Sequence, residues 1–146
     1  MIRVEREIEV DRPADVVFER LIRIEDLPRW QPAITEAALT SPGPIGSGST
    51  IRIVASAAGQ TIEALGTVTE FEPSRRVALT ATASSADVTA EVTVAPIDDA
   101  SSRLSIVTEI ALGGMLRFVE GMVRARVEAE APAAAAAAKS WLESAG

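Results

Sequence analysis

The chain of 146 residues is 47% hydrophobic and 24% charged, a composition typical of one globular domain spanning residues 1–146 rather than of a disordered protein. Its formal net charge of −7 argues against binding to nucleic acid or to anionic lipid, because both need clustered cations. The chain contains no His, Cys or Tyr, which excludes Ser-His-Asp and Cys-His nucleophile systems and metal sites built on thiolate or imidazole ligands.

The first elements along the chain are predicted to be a strand and two short helices. Residues 2–10 alternate between apolar and charged side chains, the pattern of a half-buried strand. Asp11 and Pro13 are signals for the start of a helix, and the apolar residues within 16–22 predict a short amphipathic one. Residues 25–30 predict a further turn of helix, closed by prolines.

Short apolar runs separated by turn residues follow, and they predict a series of strands. The predicted strands are residues 33–40, 50–57, 61–71, 76–83, 87–95 and 102–111. The turn residues between them are Ala58-Gly59-Gln60, Pro73-Ser74, Ser84-Ser85 and Asp98-Asp99. Because the connections are short, consecutive strands are expected to pair as an antiparallel meander rather than as βαβ units.

From Gly113 to about Ser144 the pattern becomes helical, with a broad apolar stripe. The apolar residues of this stripe are Met115, Leu116, Phe118, Val119, Met122, Val123 and Val127. Pro132 is expected to bend the helix, since it removes one backbone hydrogen bond and crowds the preceding turn. The alanine run 133–138 strongly favours helix, and no repeat or linker indicates a second domain.

The segment GPIGSGST at residues 43–50 partly matches the phosphate-binding pattern G-x-x-x-x-G-K-[ST]. Ser49 stands where that pattern requires lysine, and Pro42 and Pro44 lack amide donors. A predicted strand follows the loop, instead of the helix whose N-terminus would face the phosphates. The segment is therefore interpreted as a turn between two strands, and nucleotide binding is not expected.

The order of strand, two small helices, six strands and a long C-terminal helix resembles the helix-grip fold of the START/Bet v 1-like superfamily, in particular its bacterial polyketide cyclase/dehydrase-like members. Four stretches carry the resemblance over nearly the whole chain: IEVDRPADVVFERL, IEDLPRWQPAI, GPIGSGSTIRI and VTEFEPSRRVAL. Trp30, within the second stretch, is the most diagnostic residue.

The resemblance implies an α+β fold in which a curved antiparallel sheet of about seven strands wraps around the long helix. It also implies a cavity between sheet and helix that takes apolar or amphipathic ligands. In that fold, strand alternation puts the following residues inside: Ile51, Ile53, Ile62, Ala64, Val68, Leu79, Ala81, Val92, Leu104, Ile106, Thr108 and Ile110. The alternative is that Met115, Phe118 and Met122 fill the space and leave a solid core.

Polar residues on apolar faces are candidates for ligand contacts, because a buried charge needs a partner. Arg6 falls on the inward face of the first strand. Arg126 falls within the helix stripe, where it can bind a ligand carboxylate, pair with Glu130 or extend to solvent. Trp30 is expected either at the pocket entrance or as a core anchor. The ligand-binding candidates are Arg6, Trp30, Ile53, Ile62, Ala64, Leu79, Ala81, Val92, Ile106, Thr108, Phe118, Met122 and Arg126.

Two functions from different classes are consistent with these residues. The favoured one is a binding protein for a small hydrophobic or amphipathic molecule, such as a lipid or a polyketide-like compound, which needs a cavity and few polar anchors. The alternative, implied by the resemblance, is a polyketide cyclase/aromatase or dehydratase in which Arg6, Arg126 and Thr108 stabilise an enolate and move protons. A protein-interaction module of the same fold is a third alternative.

The expected partner is a small hydrophobic ligand, and neither a cofactor nor a metal is expected. No stretch approaches the roughly 18 apolar residues of a membrane span. The N-terminal residues MIRVEREIEVD lack the apolar core of a signal peptide, so a cytoplasmic location is expected. The chain is expected to be a monomer or a homodimer.

Overall fold

Strands and helices follow one another in the predicted order in a computed structural model that describes residues 1–57, 60–84 and 86–144. The strands are β1 (Ile2–Val10), β2 (Ile34–Leu39), β3 (Thr50–Ala57), β4 (Gln60–Glu72), β5 (Arg76–Ala83), β6 (Ala86–Pro96) and β7 (Ser102–Leu112). The helices are α1 (Ala14–Leu21), α2 (Leu27–Trp30) and α3 (Glu120–Glu143), with 3₁₀ turns at Ile24–Asp26 and Gly114–Val119. The turn residues predicted at Ala58, Gly59 and Ser85 lie outside the described residues.

All the described strands form one antiparallel sheet in the order β1-β7-β6-β5-β4-β3-β2. From β2 to β7 each strand pairs with the next, as expected for a meander, and β1 pairs with β7. The two edges of the sheet are therefore β1 and β2, and α1 and α2 connect them along the chain. A curved sheet with short helices after the first strand and a long C-terminal helix is the predicted helix-grip arrangement, so the fold class is confirmed.

The core lies at one end of the sheet, where α1, α2 and the end of α3 cover the strands. Phe18 of α1 packs edge-on against Phe71 of β4, with ring centroids 5.7 Å apart. Buried residues that form this core are Ile8, Val10, Val17, Phe18, Leu21, Ile24, Leu27, Trp30, Ile51, Val68, Val77, Val94, Leu104, Ile106, Ala138 and Leu142. Apolar burial at this end provides the main stabilisation of the fold.

Charged side chains hold the end of α3 against α1 and β1. Arg20 Nη1 donates to the carbonyl oxygens of Trp141 and Ser144, at 2.8 and 3.0 Å, and its guanidinium lies 4.3 Å from the centre of the Trp141 ring. The Glu143 carboxylate accepts hydrogen bonds from the Asp11 amide and from Lys139 Nζ, and these contacts hold the pKa of Glu143 below its usual value. The helix continues through Pro132 up to this anchored end.

Two backbone amides of the Gly-rich loop between β2 and β3 donate hydrogen bonds to other groups of the protein. The Gly46 amide donates to Ser49 Oγ at 2.9 Å, and the Gly48 amide donates to the Val68 carbonyl at 2.8 Å. Gly48 has a φ of +90°, a backbone conformation that glycine adopts readily. The loop thus extends the pairing between β3 and β4. This agrees with the interpretation of residues 43–50 as a turn between two strands.

Candidate functional site

The strand register places the predicted inward residues on one face of the sheet, which we call the inner face. Directly opposed residues of antiparallel strands point to the same side. Ile53 is opposite Ala64, and Val92 is opposite Ile106. The predicted residues that lie on the inner face are Arg6, Ile53, Ile62, Ala64, Leu79, Ala81, Val92, Ile106 and Thr108.

Burial divides the inner face into two parts. Near α1 and α2 its residues belong to the core, and Ile106, which is 5% exposed, lies in this buried part. Towards the other end Ala81 and Ile2 are also buried, but most side chains are only half-buried, so the described part of α3 does not cover them completely. We call this set the open half; it consists of Val4, Ile53, Ile62, Ala64, Leu79, Val88, Ala90, Thr108 and Ile110.

Four members of the open half were not among the ligand-binding candidates from the sequence, namely Val4, Val88, Ala90 and Ile110. Val4 is opposite Thr108, Val88 is opposite Ile110, and Ala90 is opposite both Leu79 and Thr108. The period-two alternation of their own strands is the signal that identifies their face.

The rotation of α3 about its axis differs from the predicted one. Ala138 and Leu142 are each 1% exposed and fix which side of α3 faces the sheet. Counting back from them in steps of three or four residues leads to the half-buried Val127 and Val123. Met122 lies one residue from Val123, which corresponds to a rotation of about 100°.

Phe118 and Met122 are consequently outside the predicted site, with exposures of 88% and 73%. They neither line the inner face nor fill the space above it. The predicted stripe was too broad, because apolar spacing alone does not identify the side that the anchored end of α3 turns inward. The side chain of Met115 lies outside the described residues.

Arg126 is also placed on the outer side of α3. Its Nε lies 3.2 Å from Glu130 Oε1, and both side chains are about 60% exposed, at 60% and 59%. Of the alternatives for Arg126, the surface ion pair is the one observed. Trp30 is 4% exposed and belongs to the core, so it acts as an anchor of the small helices rather than as the rim of a pocket.

Arg6 differs from the other arginines of the sheet. It lies on the inner face of β1 opposite Ile106 and is half-buried. No hydrogen bond or ion pair joins it to any of the described residues, and its Nε is buried without a partner. Burial lowers the pKa of Arg6 from its ordinary value, because desolvation disfavours the charged form.

The carboxylates of the central strands lie on the outer face. Glu63 pairs with Arg52 at 2.7 Å, and Glu109 lies 3.5 Å from Arg3. The register of β4 shifts between Val68 and Glu70, and the pairing from Gln60 to Thr67 is regular, so the alternation around Glu63 is preserved. Within the described strands, Arg6 is thus the only charged side chain of the inner face.

Two open depressions lie at the start of the long helix, next to the open half. Their volumes are about 450 and 390 Å³. The larger is lined by Met1, Ala111, Leu112, Gly113, Gly114, Arg117 and Glu120, and the smaller by Gly114, Arg117 and Phe118. Leu112 is opposite Ala86 at the end of the inner face, so the larger depression adjoins the open half.

Neither a metal cluster nor a spanning helix is found in the parts of the chain that the structure describes. No three His, Cys, Asp or Glu side chains among those residues gather as a metal-binding group. None of the helices there is both long enough and apolar enough to cross a membrane.

Comparisons with known proteins agree on the architecture. The model of a family described as polyketide cyclase/dehydrase and lipid transport matches residues 1–143. The Zhui aromatase/cyclase from Streptomyces sp. R1128 superposes with a TM-score of 0.80 at 19% identity, over 97% of this chain and 93% of that one. A START superfamily protein from Mycobacterium smegmatis gives 0.75 at 16% identity, over 93% and 92%. Ara h 8.0201 gives 0.68 at 16% identity, over 96% of each chain.

A search of the curated proteins finds no match to the sequence. The resemblance to the START/Bet v 1-like superfamily is confirmed by the family model and by the structural neighbours. At identities below 25%, the structural likeness concerns the fold alone.

Proposed function

The chain belongs to the polyketide cyclase/dehydrase and lipid transport family, and we propose that it binds a small hydrophobic or amphipathic molecule between the open half and α3. The observation that supports this is the incomplete burial of apolar side chains on the inner face of the sheet. Apolar surface exposed to water is unfavourable by about 25 cal/mol per Å², so a hydrophobic ligand gains free energy by covering it. The depression beside Leu112 is open to solvent and adjoins the end of this face.

The composition of α3 also supports a ligand in this space. The positions of α3 that face the sheet beyond Val127 are mainly alanines, including Ala131, Ala134 and Ala135, all half-buried. A methyl group is small, so alanines at these positions fill less of the space above the sheet than leucine or phenylalanine would. Phe118 and Met122, two large side chains just before Val123, point to solvent instead.

Binding is favoured over catalysis by the charges of the inner face. General acid–base catalysis needs a titratable group within hydrogen-bonding reach of the reacting atom. On the inner face of the described strands, Arg6 is accompanied by hydroxyl groups such as that of Thr108 but by no carboxylate. A cyclase acting with this face would depend on shaping its substrate and on the charge of Arg6.

A bulky side chain introduced on the inner face of β6 tests the proposal, because it would occupy the space in which the ligand is proposed to bind. Ala90 is half-buried on the inner face of β6, whereas its neighbour Thr89 is exposed on the outer face. Ala90→Phe should abolish binding of the neutral fluorescent probe N-phenyl-1-naphthylamine and leave the melting temperature nearly unchanged, because the ring enters open space. Thr89→Phe, the matched control, should bind the probe as the parent does.

Two results would contradict the proposal. If Ala90→Phe bound the probe as the parent does, the probe would bind outside the space between the open half and α3. Failure of Ala90→Phe to fold, while Thr89→Phe folds normally, would mean that no space exists beside Ala90.

A further inference from the structure

Arg6 is a permanent charge on an apolar surface. Along β1 its neighbours on the inner face are Val4 and Ile8, and across the strand pair it is opposite Ile106. On the next strand, Val92 of β6 is opposite Ile106 and is also apolar. An arginine side chain remains protonated at all physiological pH values, so it cannot relieve its burial by losing a proton.

The other sheet arginines show what a guanidinium in this protein normally binds. Arg3 contacts Glu5, Arg52 contacts Glu63, and Arg103 contacts Glu9, at N–O distances of 2.5, 2.7 and 3.4 Å. Arg76 contacts two carboxylates. Each of these arginines lies on the outer face, whereas none of the described residues provides a carboxylate for Arg6. The Nε of Arg6 is fully buried and the side chain is half-buried, and a guanidinium partly withdrawn from water without a partner is unfavourable, which indicates that its partner comes from outside the chain.

The surroundings of Arg6 define the class of that partner. A guanidinium presents a planar fork of donors that matches the two oxygens of a carboxylate. Thr108 is the diagonal neighbour of Arg6 across the β1–β7 pair, a position roughly 7 Å away, and its hydroxyl is a further donor within the same patch. Beyond this patch the open half is apolar, so the remainder of the ligand must be hydrocarbon-like.

We propose that Arg6 anchors the carboxylate of a hydrophobic acid whose apolar part lies along the open half. This inference rests on the proposed function and specifies its ligand class. It assigns to Arg6 the polar contact that fixes the orientation of the ligand, while the apolar contacts provide the remaining affinity. A neutral molecule of the same length is bound more weakly, because it leaves the guanidinium unpaired.

The test compares decanoate with 1-decanol as competitors of bound N-phenyl-1-naphthylamine at neutral pH, where the acid is ionised. The parent protein should bind decanoate about ten- to a hundredfold more tightly than 1-decanol, the range expected for a charge-assisted hydrogen bond. Arg6→Met should lose this preference and bind both competitors similarly. Arg3→Met is the matched control, since Arg3 lies on the outer face of the same strand, and it should keep the preference.

A second measurement separates the anchor from a structural role. Without ligand, Arg6→Met should melt at the same temperature as the parent or higher, because it removes an unpaired, half-buried charge while keeping an apolar stem. With saturating decanoate, the parent should gain more thermal stability than Arg6→Met does.

The outcomes distinguish the two proposals. Equal affinity of the parent for decanoate and 1-decanol, or an undiminished preference in Arg6→Met, overturns the role of Arg6 and leaves the hydrophobic site intact. If neither competitor nor the probe binds the parent, the proposed function fails, and the anchor fails with it.

Discussion

Gly66 of β4 is the position where the structure predicts the clearest penalty for adding a single methyl group. A Cβ built on Gly66 would lie 2.9 Å from the carbonyl oxygen of Thr80 and 3.0 Å from Cγ1 of Ile51. Carbon and carbonyl oxygen normally approach to about 3.3 Å. Neither neighbour moves easily, because Thr80 belongs to the paired backbone of β5 and Ile51 is 1% exposed.

Gly66→Ala should therefore destabilise the protein, although glycine-to-alanine changes stabilise where the backbone conformation and the space suit alanine. Overpacking of this kind costs about 1–3 kcal/mol, and the smaller entropy of the unfolded chain returns about 0.4–1 kcal/mol. The net loss of roughly 1–2 kcal/mol corresponds to a fall in melting temperature of about 2–8 °C. Urea unfolding and thermal melts measure both quantities.

The control for Gly66 is Gly121, near the start of α3, where a Cβ would meet nothing within 4 Å. Gly121→Ala should leave stability unchanged or raise it by up to about 1 kcal/mol, because alanine is the better helix former. If Gly66→Ala is as stable as the parent, the close packing of β3, β4 and β5 at this point is refuted.

Four further substitutions test the anchoring and orientation of α3. Arg20→Met should cost about 2–3 kcal/mol in urea unfolding, because it removes charge-assisted hydrogen bonds to the end of the helix; an unchanged midpoint would contradict this anchor. Met122→Ser should change stability by less than about 0.5 kcal/mol, whereas Val127→Ser should cost about 1 kcal/mol, and the reverse order would contradict the orientation of α3. The folded pKa of Glu143 lies below its unfolded value, so its stabilisation is present above about pH 4.3 and is lost as the pH falls through the folded pKa. Glu143→Gln should therefore lower the urea midpoint at neutral pH but not in acid below that pKa, and an equal loss at both pH values would contradict the linkage.

Strand positions and faces were predictable because their signals are local. Alternation within 2–10 and within 87–95 identified strands whose observed bounds, Ile2–Val10 and Ala86–Pro96, differ by at most one residue. The same alternation of apolar and polar side chains assigned residues to the inner face correctly on several strands, because a sheet has only two faces.

The orientation of α3 was not predictable, because contacts distant in the sequence determine it. Arg20 reaches Trp141 across 121 positions, and no pattern within the helix reports that contact. A broad apolar stripe fits several rotations of a helix, so it included Met122 and Arg126, both of which the structure exposes to solvent. The open half was not predictable for a related reason, since its exposure depends on how far α3 extends over the sheet.

Methyl NMR on the protein with bound decanoate locates the ligand relative to the sheet and α3. Intermolecular NOEs from the decanoate chain should reach methyl groups of the open half, such as those of Ile53, Leu79 and Ile110. They should not reach Leu65 or Ile97, whose side chains are 61% and 46% exposed outside the inner face. NOEs confined to Leu65 and Ile97, with none to the open half, would contradict a ligand site between sheet and helix.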